Sequence, residues 1–284
     1  MAFRWSWDGK VAVVTGASSG IGARLALDLA ERGTTVVGVA RRRTELDQVM
    51  ESCRRAAPAS RAIVADLSEP GCAEEVIDRT RREIGGPDLV VNNAAVPMRV
   101  HVSRLTVDEV RRAMEINFMV AVRTTLAVLP TMLAAGSGHV VNIASIAGRI
   151  GSPRESAYTA SKFALTGFTE AAAADLVGTG VRLHLVYPGP IQTEIWTKLA
   201  EPAGYHGRFH PPEQVSRAVM ACVAGGRFER WVPRWMGILP SVRSAAPRAF
   251  LTAAGIFDQR GVRKGAPAAD GGRISRRSSG TAAG

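Results

Sequence analysis

The stretch VAVVTGASSGIG (Val11–Gly22) lies near the start of the chain and decides the fold. Its first four residues predict a buried strand, and the glycines that follow lead directly into a helical pattern. Gly16 permits a tight turn, Gly20 lets the backbone approach a pyrophosphate, and Gly22 allows the helix to pack closely on the strand. The helix start offers unpaired N–H groups and partial positive charge to phosphates. The stretch predicts a dinucleotide-binding loop; a glycine-rich turn without a ligand is the alternative.

Short apolar runs alternate with amphipathic segments along the rest of the chain. In the segment after the first run, apolar residues recur every four positions, at Ile21, Leu25 and Leu29. Such alternation is typical of βαβ units, so it predicts an α/β fold with a parallel sheet covered by helices on both faces. The predicted strands are VAVV (11–14), TVVGVA (35–40), AIVA (62–65), DLVV (88–91), HVVNIA (139–144), VRLHLV (181–186) and RWVP (230–233).

The composition fits one compact domain rather than a disordered chain, because 46% of the 284 residues are hydrophobic and 21% are charged. The three cysteines are scattered and lack CxxC spacing. This argues against a disulfide scaffold or a cysteine-ligated zinc site and favours a reducing compartment. The first apolar run is too short for a signal peptide, and no stretch of uncharged apolar residues reaches the roughly 18 residues of a membrane-spanning helix. We therefore expect a cytoplasmic protein without a metal site.

The charge is distributed unevenly. Lysine and arginine outnumber aspartate and glutamate by 36 to 25, a formal charge of +11. From Arg227 onward, 11 basic residues against 3 acidic ones give +8, so the first 226 residues carry only +3. The basic character belongs to the tail, and we expect no nucleic-acid partner. The chain is divided accordingly into a main domain at 1–233, an amphipathic C-terminal extension at 234–260 and a basic tail at 261–284, which is predicted to be disordered.

The residues after the second predicted strand bear on the choice of nicotinamide cofactor. A carboxylate there would bind the ribose 2′-hydroxyl of NAD and repel a 2′-phosphate. Instead Ala40 is followed by Arg41, Arg42 and Arg43, with no acid before Glu45. Because a guanidinium group suits a phosphate dianion, we expect Arg41 to favour NADP(H), with NAD(H) as the alternative. A solvated charge run at a helix start is the other interpretation, and we favour it for Arg43.

A tyrosine and a lysine lie four residues apart in YTASK, Tyr158 to Lys162, where a helical pattern begins. Residues at this spacing share one face of a helix. A free phenol has a pKa of about 10, and a nearby cation stabilises the phenolate, so the pair predicts a tuned proton donor. Ser145 follows the preceding strand, where its hydroxyl can hydrogen-bond the carbonyl oxygen that Tyr158 protonates. No G-x-S-x-G elbow of a hydrolase surrounds this serine, although an ordinary strand-end residue is an alternative.

These motifs, together with NNAA at 92–95 and PG at 188–189, resemble the short-chain dehydrogenase/reductase family. The resemblance covers about residues 10–233, with the motifs in the family's order. It implies a single domain with a Rossmann-like, doubly wound parallel sheet in three layers, followed by a C-terminal extension. It also implies hydride transfer between a nicotinamide cofactor and a carbonyl or secondary alcohol carbon. The catalytic group that it implies is Asn117, Ser145, Tyr158 and Lys162.

The same resemblance assigns individual roles. Asn117 would support a water-mediated proton relay, and Lys162 would also hold the nicotinamide ribose. Ala95 stands where the family usually has glycine, and its methyl group would narrow the pocket or need a small backbone shift. Ser19 stands where many NADP-preferring members carry a basic residue. The cofactor-binding residues that the resemblance implies are Gly16, Ser18, Ser19, Gly20, Ile21, Gly22, Arg41, Asp66, Leu67, Asn93, Tyr158, Lys162, Pro188, Ile191 and Thr193.

The family resemblance also predicts a mobile lid over the substrate at about 194–211. The aromatic and aliphatic residues of this region favour a hydrophobic substrate such as a ketone, a steroid or a lipid-like molecule, but packing of the lid onto the domain explains them equally well. By the same resemblance we expect a homodimer or homotetramer through helices near 104–136 and 156–177. A non-catalytic, cofactor-binding regulatory protein is the alternative function, although such a protein would have no use for a tuned phenol.

The extension has its own pattern, in which apolar residues recur at steps of three or four from Leu239 to Phe257 while Arg248 falls on the opposite side. Pro240 can begin a helix there, and Pro247 would kink or split it. A basic amphipathic segment of this kind can lie on an anionic membrane. We favour the interpretation that it covers an apolar patch of its own domain or of a partner subunit, and keep peripheral membrane contact as the alternative.

Overall fold

The computed structural model describes residues 5–199, 201, 205 and 207–265. Within these residues one parallel sheet has the strand order β3-β2-β1-β4-β5-β6-β7. The order reverses between β1 and β4, which is the doubly wound topology that the sequence predicts. Each predicted strand is confirmed, with small shifts at the ends: β1 (Val11–Thr15), β2 (Thr35–Ala40), β3 (Arg61–Val64), β4 (Leu89–Asn92), β5 (Gly138–Ile143), β6 (Val181–Pro188) and β7 (Glu229–Val232).

Helices cover both faces of the sheet and complete three layers. Helices α1, α2 and α7 pack on one face, and α3, α5 and α6 pack on the other. Their bounds are α1 (Gly20–Ala30), α2 (Arg43–Ala56), α3 (Cys72–Glu83), α4 (Val107–Met114), α5 (Val120–Ala135), α6 (Ser156–Asp175), α7 (Pro212–Gly225), α8 (Leu239–Ala245) and α9 (Pro247–Gly265).

Strand β1 shows why the apolar runs are continuous. Ala12 and Val14 belong to the core on one face of the sheet, Val13 belongs to the core on the other, and all three are fully buried. Side chains alternate along a strand, so an unbroken apolar run is expected only where both faces are covered. Each buried valine contributes about 1.5–3 kcal/mol relative to an exposed one. The burial on both faces therefore explains the sequence pattern.

The topology creates a crevice at the carboxyl ends of the strands. Crossovers leave β1 toward one face and β4 toward the other, so the loops that follow these two strands diverge and leave an opening between them. The loop after β1 begins at Gly16, the loop after β4 begins at Asn93, and Ala144 leads from β5 to Ser145. Residues that are far apart in sequence are thus brought to one edge of the sheet.

The run Val107–Ala135 joins α4, a π-helical turn at Glu115–Met119 and α5. This run is long and apolar enough, by length and composition alone, to cross a membrane, whereas the sequence analysis expected no such stretch. In the structure α5 packs on the sheet through Val120, Val128 and Met132. The packing of α5 in this helical layer therefore explains why these three residues are apolar.

The C-terminal extension is helical over the residues that the structure describes, 234–265. A 3-10 turn at Arg234–Ile238 leads into α8, and the chain leaves helical geometry at Ala246 before α9 begins at Pro247. The predicted split at this proline is confirmed. Helix α9 continues to Gly265, past the predicted boundary at residue 260. The rest of the predicted tail, 266–284, lies outside the described residues.

Candidate active site

A cavity of about 820 Å³ opens at the carboxyl edge of the sheet. Loops that follow the strands form one part of its wall, and the C-terminal extension forms another. Two of the predicted site residues, Gly22 and Asn117, are absent from this wall. The predicted residues that do line the cavity are Gly16, Ser18, Ser19, Gly20, Ile21, Arg41, Asp66, Leu67, Asn93, Ser145, Tyr158, Lys162, Pro188, Ile191 and Thr193.

The loop after β1 has a backbone that requires glycine. The φ angles of Gly16 and Gly20 are +68° and +57°, in the left-handed region that glycine adopts without strain. A Cβ on Gly22 would lie 2.3 Å from the carbonyl oxygen of Gly16, and a Cβ on Gly16 would lie 2.9 Å from Nδ2 of Asn93. A side chain at either position would therefore displace the loop or Asn93, so the glycines keep this loop, called here the glycine cradle, in its closely packed conformation.

The start of α1 lies at the cavity wall. Ser19 is its N-cap residue, and the serine side chain makes no capping hydrogen bond. The first N–H groups of a helix have no partner within the helix, so they are available to a ligand here. Asn93 also lines the cavity and fixes this loop, because its Nδ2 donates to the carbonyl oxygens of Thr15 at 3.0 Å and Gly16 at 3.3 Å. An uncapped helix start above a glycine cradle fits the pyrophosphate of a dinucleotide.

Two arginines follow β2 and line the cavity. Nη1 of Arg41 lies 3.4 Å from the carboxylate of Asp66. The sequence pattern assigns no role to Arg42. In the structure its Nη2 donates to Oγ of Ser18 at 3.3 Å and its Nη1 lies 3.0 Å from the carboxylate of Glu194. The wall therefore offers two guanidinium groups beside the phosphate-binding loop.

A carboxylate does occur at this edge, but it follows β3 rather than β2. Asp66 accepts hydrogen bonds from Oγ of Ser68 at 2.6 Å and from its backbone N–H at 3.1 Å. These bonds, assisted by the charge of Arg41, hold the pKa of Asp66 below its usual value against the opposing effect of burial. Asp66 is therefore ionised at neutral pH and partly offsets the charge of Arg41.

Tyr158 and Ser145 both line the cavity and hydrogen-bond each other. Ser145 follows β5, and its Oγ accepts a hydrogen bond from the backbone N–H of Ala147 at 3.2 Å. Tyr158 lies in the first turn of α6. Burial raises the pKa of Tyr158 above its ordinary value, a hydrogen bond with Ser145 lowers it in part, and the nearby charge of Glu155 raises it. The phenol is therefore protonated at neutral pH, which is the form that a proton donor requires.

Lys162 lies one helical turn after Tyr158, as the spacing predicts. Its Nζ donates to the carbonyl oxygen of Ile143 at 2.9 Å and lies 5.8 Å from the centroid of the Tyr158 ring. Burial lowers the pKa of Lys162 to about 8. The expectation that this lysine gives the phenol a lowered pKa is wrong for this structure, because the effect of burial on Tyr158 prevails.

Asn117 lies in the π-helical turn and is 2% exposed. Its Oδ1 accepts from the backbone N–H of Val96 at 2.8 Å, and its Nδ2 donates to the carbonyl oxygen of Val96 and to Oγ of Ser161, both at 3.1 Å. The side chain thus links the loop after β4 to α6, next to Lys162. Its role in a proton relay stays a prediction, while its contacts make it a positioning residue.

A sequence profile described as short chain dehydrogenase matches residues 10–204, more than half of the chain. The protein belongs to the short-chain dehydrogenase/reductase family. The resemblance seen in the motifs is thereby confirmed, and so is the Rossmann-like fold.

The similar proteins are oxidoreductases. An uncharacterized oxidoreductase from Myxococcus xanthus is 39% identical over 186 residues, which are 66% of this chain and 74% of that protein. Ketoacyl reductase HetN from Nostoc is 32% identical over 76% of this chain and 75% of its own length. A short-chain dehydrogenase/reductase from Burkholderia phymatum, solved in complex with NAD, has a TM-score of 0.76 at 25% identity and covers 84% of this chain and 93% of that one. This dehydrogenase/reductase is accordingly an oxidoreductase that uses a nicotinamide cofactor.

Outside the predicted cofactor-binding and catalytic residues, the wall of the dehydrogenase/reductase cavity is largely apolar. Ala95, which replaces the family's usual glycine, contributes its methyl group to the wall. Phe209 of the predicted lid packs edge-on against Trp196 at 5.0 Å between ring centroids rather than lining the cavity. The apolar residues of this wall are Val96, Pro97, Met98, Ile146, Ile150, Ile195, Trp196, Leu199, Trp235, Met236, Leu239, Phe250, Ala254 and Phe257.

A cluster of buried charges attaches α9 to this wall. Arg99, only 5% exposed in its side chain, pairs with Asp258 and donates to the carbonyl oxygen of Pro153 at 3.0 Å. Arg154 contacts the other oxygen of Asp258 at 2.9 Å and Glu201 of the lid region at 2.6 Å. We call Arg99, Arg154, Glu201 and Asp258 the latch, because they join the loops before α4 and α6, the lid region and α9.

The latch residues and Arg42 were missed by sequence reasoning. Asp258 carried a detectable signal, because it is the only acid between Arg234 and Gly265. A lone carboxylate in a basic amphipathic helix suggests a specific partner. Arg99 carried no comparable signal, since its partner lies 159 residues away along the chain.

Proposed function

We propose that this short-chain dehydrogenase/reductase is an NADP(H)-dependent oxidoreductase that transfers hydride between the nicotinamide and a carbonyl or secondary alcohol carbon of a hydrophobic substrate. The observation that carries the proposal is that Tyr158 and Ser145 hydrogen-bond each other in the wall of a cavity that is also lined by the glycine loop and by many apolar side chains. The intact trio of Ser145, Tyr158 and Lys162 argues against the non-catalytic alternative.

The residues of the chain supply positioning and a proton, and the bound cofactor would supply or accept the hydride. In the reductive direction Ser145 Oγ hydrogen-bonds the substrate carbonyl oxygen, and the Tyr158 hydroxyl gives that oxygen its proton. Lys162 has a pKa of about 8, so it carries a positive charge at neutral pH and stabilises the phenolate that remains. Asn117 keeps the loop after β4 and α6 in place around these groups.

Cofactor preference is proposed from charge. Arg41 and Arg42 line the wall beside Ser18, where a 2′-phosphate would replace Asp66 and Glu194 as the partner of the guanidinium groups. Charge-assisted hydrogen bonds of this kind are stronger than neutral ones, which favours NADP(H). The Burkholderia relative was solved with NAD, so NAD(H) is the alternative that the test must include.

The substrate class is proposed from the wall that surrounds Tyr158. Aromatic and aliphatic side chains predominate among the lining residues outside the predicted cofactor-binding positions, and apolar walls of this kind bind apolar ligands. Ketones, steroids and lipid-like carbonyls are therefore the proposed class. The name of ketoacyl reductase HetN suggests a more specific candidate within this class, a ketoacyl chain.

Oxidation of NADPH at 340 nm tests the function, with NADH as the control cofactor and with panels of ketones, aldehydes, steroids and 3-oxoacyl thioesters. We expect turnover of hydrophobic carbonyls by the wild type and none by Tyr158→Phe, which keeps NADPH binding. Turnover by Tyr158→Phe equal to that of the wild type would refute the assignment. Preference for NADH would overturn the cofactor proposal alone.

We also propose a homo-oligomer that forms through α5 and α6. Leu126 and Leu133 of α5 and Phe163 of α6 are exposed on the described chain. A second copy would cover them, as the family resemblance implies. Light scattering should report a dimer or tetramer, and a monomer at micromolar concentration would contradict this.

A further inference from the structure

The extension exposes an unusual amount of apolar side chain. Helix α8 has no buried residue, and Leu239 alone of this helix lines the cavity. The favoured interpretation, that the extension covers an apolar patch of its own domain or of a partner subunit, therefore holds within the domain only for the residues of the extension that line the cavity. Only one side of α9 reaches the domain, through Phe250, Ala254 and Asp258. Half of the large apolar side chains that are exposed in the described residues belong to the extension, namely Trp235, Ile238, Val242, Leu251, Ile256 and Phe257.

The exposed charges of this region have one sign. Arg234, Arg243, Arg248 and Arg260 are all exposed. The only acid from 234 to 265, Asp258, is buried in the latch and pairs with arginines of the domain. The outer surface of the extension therefore combines apolar side chains with positive charge that no acid of the same segment offsets.

The latch also sets the orientation of α9 on the domain. Asp258 pairs with Arg99 and Arg154 next to the cavity, which places Phe250 and Phe257 in the cavity wall. Phe257 is nonetheless 60% exposed, and Trp235, another wall residue, is 61% exposed. Both side chains stand at the rim, so the apolar wall of the cavity continues onto the apolar surface of the extension.

From these observations we infer that the extension docks on an anionic lipid surface and that the substrate cavity opens toward it. A bilayer with acidic headgroups accepts arginines at its surface while apolar side chains enter the acyl boundary. The entry of a hydrophobic substrate from the bilayer through the rim rests on the proposed function. The docking itself does not, because it depends only on the surface of the extension.

Other occupants fit the surface less well. In a two-fold contact between copies of this chain, the same surface would meet itself and bring like charges together. A nucleic acid would pair with the arginines but leave Val242, Leu251 and Ile256 exposed to water. An anionic bilayer is the occupant that satisfies both the charge and the apolar side chains.

Co-sedimentation of the full chain with lipid vesicles, without substrate or cofactor, tests the inference. We expect pelleting with vesicles of phosphatidylcholine and phosphatidylserine, little with phosphatidylcholine alone, and release by added salt. Arg243→Gln with Arg248→Gln should weaken the partition coefficient about fivefold for each arginine, from roughly 1 kcal/mol per charge near an anionic surface. Val242→Ser with Leu251→Ser should weaken it independently of salt.

Matched controls lie elsewhere on the surface: Arg55→Gln with Arg111→Gln, and Val177→Ser, all at highly exposed positions outside the extension. These variants should pellet like the wild type. Equal pelleting by the extension variants and the controls would overturn the inference. So would tighter binding of duplex DNA than of anionic vesicles, or self-association that Val242→Ser with Leu251→Ser abolishes. Any of these results would leave the oxidoreductase assay, and therefore the proposed function, unaffected.

Discussion

The two halves of the cavity are built in different ways. The cofactor half is made largely of backbone: glycines with positive φ, the uncapped start of α1, and the carbonyl groups that Asn93 holds. The substrate half is made of side chains from the loop after β4, the lid region and α9. The glycines of one short loop shape the first half, with Asn93 as a distant support, whereas long-range ion pairs between Arg99, Arg154 and Asp258 hold the second.

This difference indicates where amino-acid substitutions should be tolerated. A wall of backbone has no spare volume, so one added methyl group disturbs it. A wall of apolar side chains can be repacked with other side chains of similar volume. We therefore expect substitutions in the cofactor half to affect turnover of every substrate, and substitutions in the substrate half to change which substrates are used.

Tyr158→Phe should have the largest effect. It removes the hydroxyl that donates the proton and keeps the ring, so kcat should fall about 10³-fold, as loss of a general acid typically does. Binding of NADPH, followed by fluorescence, should stay within about twofold, a change of less than 1 kcal/mol. Tyr205→Phe, also in the cavity wall, is the matched control and should keep most of the activity.

Gly22→Ala should disrupt the cofactor half. The added Cβ would lie 2.3 Å from the carbonyl oxygen of Gly16, so the loop must move. Overpacking of about 1–3 kcal/mol corresponds to a loss of cofactor affinity of roughly 10- to 100-fold. Gly225→Ala, where a Cβ meets open space, is the control. Equal NADPH titrations for the two variants would show that the loop is not the phosphate site.

Arg41→Ser and Arg42→Ser should change cofactor preference. Each substitution removes one of the two guanidinium groups from the cavity wall. A charge-assisted hydrogen bond contributes about 1.5–3 kcal/mol, so KM for NADPH should rise about tenfold. KM for NADH should change little. Arg43→Ser, at the start of α2, should leave both constants unchanged. Equal changes for the two cofactors would contradict a 2′-phosphate site.

Asp258→Asn should loosen the substrate half alone. The variant keeps the shape of the side chain but removes the charge that pairs with buried Arg99 and with Arg154, so the free energy of unfolding should fall by about 1–3 kcal/mol. KM for a hydrophobic carbonyl should rise several-fold, while KM for NADPH stays constant. Asp108→Asn, at an exposed position, is the control. A rise in KM for NADPH as well would show that the halves are coupled.

The smallest of these effects is expected when the pH of the reduction assay is raised. Burial lowers the pKa of Lys162 to about 8, so the ammonium loses its proton as pH rises through that value. Because the raised pKa keeps Tyr158 protonated there, the decline should follow one group, with half of kcat lost near pH 8. A plateau of kcat up to pH 10 would show that Lys162 needs no charge.

Much of the site was predictable from sequence, because its motifs are local. The glycine loop, the Tyr158 to Lys162 spacing and Ser145 were all placed on the right elements. The pKa of Tyr158 was not predictable, since it depends on burial and on Glu155, which the helix spacing does not report. The contacts of Asn117 with Val96 and Ser161 could likewise not be read from a lone helix residue.

The amino-acid sequence by itself determined the strand and helix alternation, the glycine cradle and the order of the catalytic residues. These features arise from interactions between residues close in the chain, or from burial patterns that repeat along it. Tertiary structure alone decided that Asp258 reaches Arg99, that α8 is left uncovered, and that the cavity rim carries exposed Trp235 and Phe257. Those outcomes depend on how distant segments pack and desolvate each other, which no local pattern encodes.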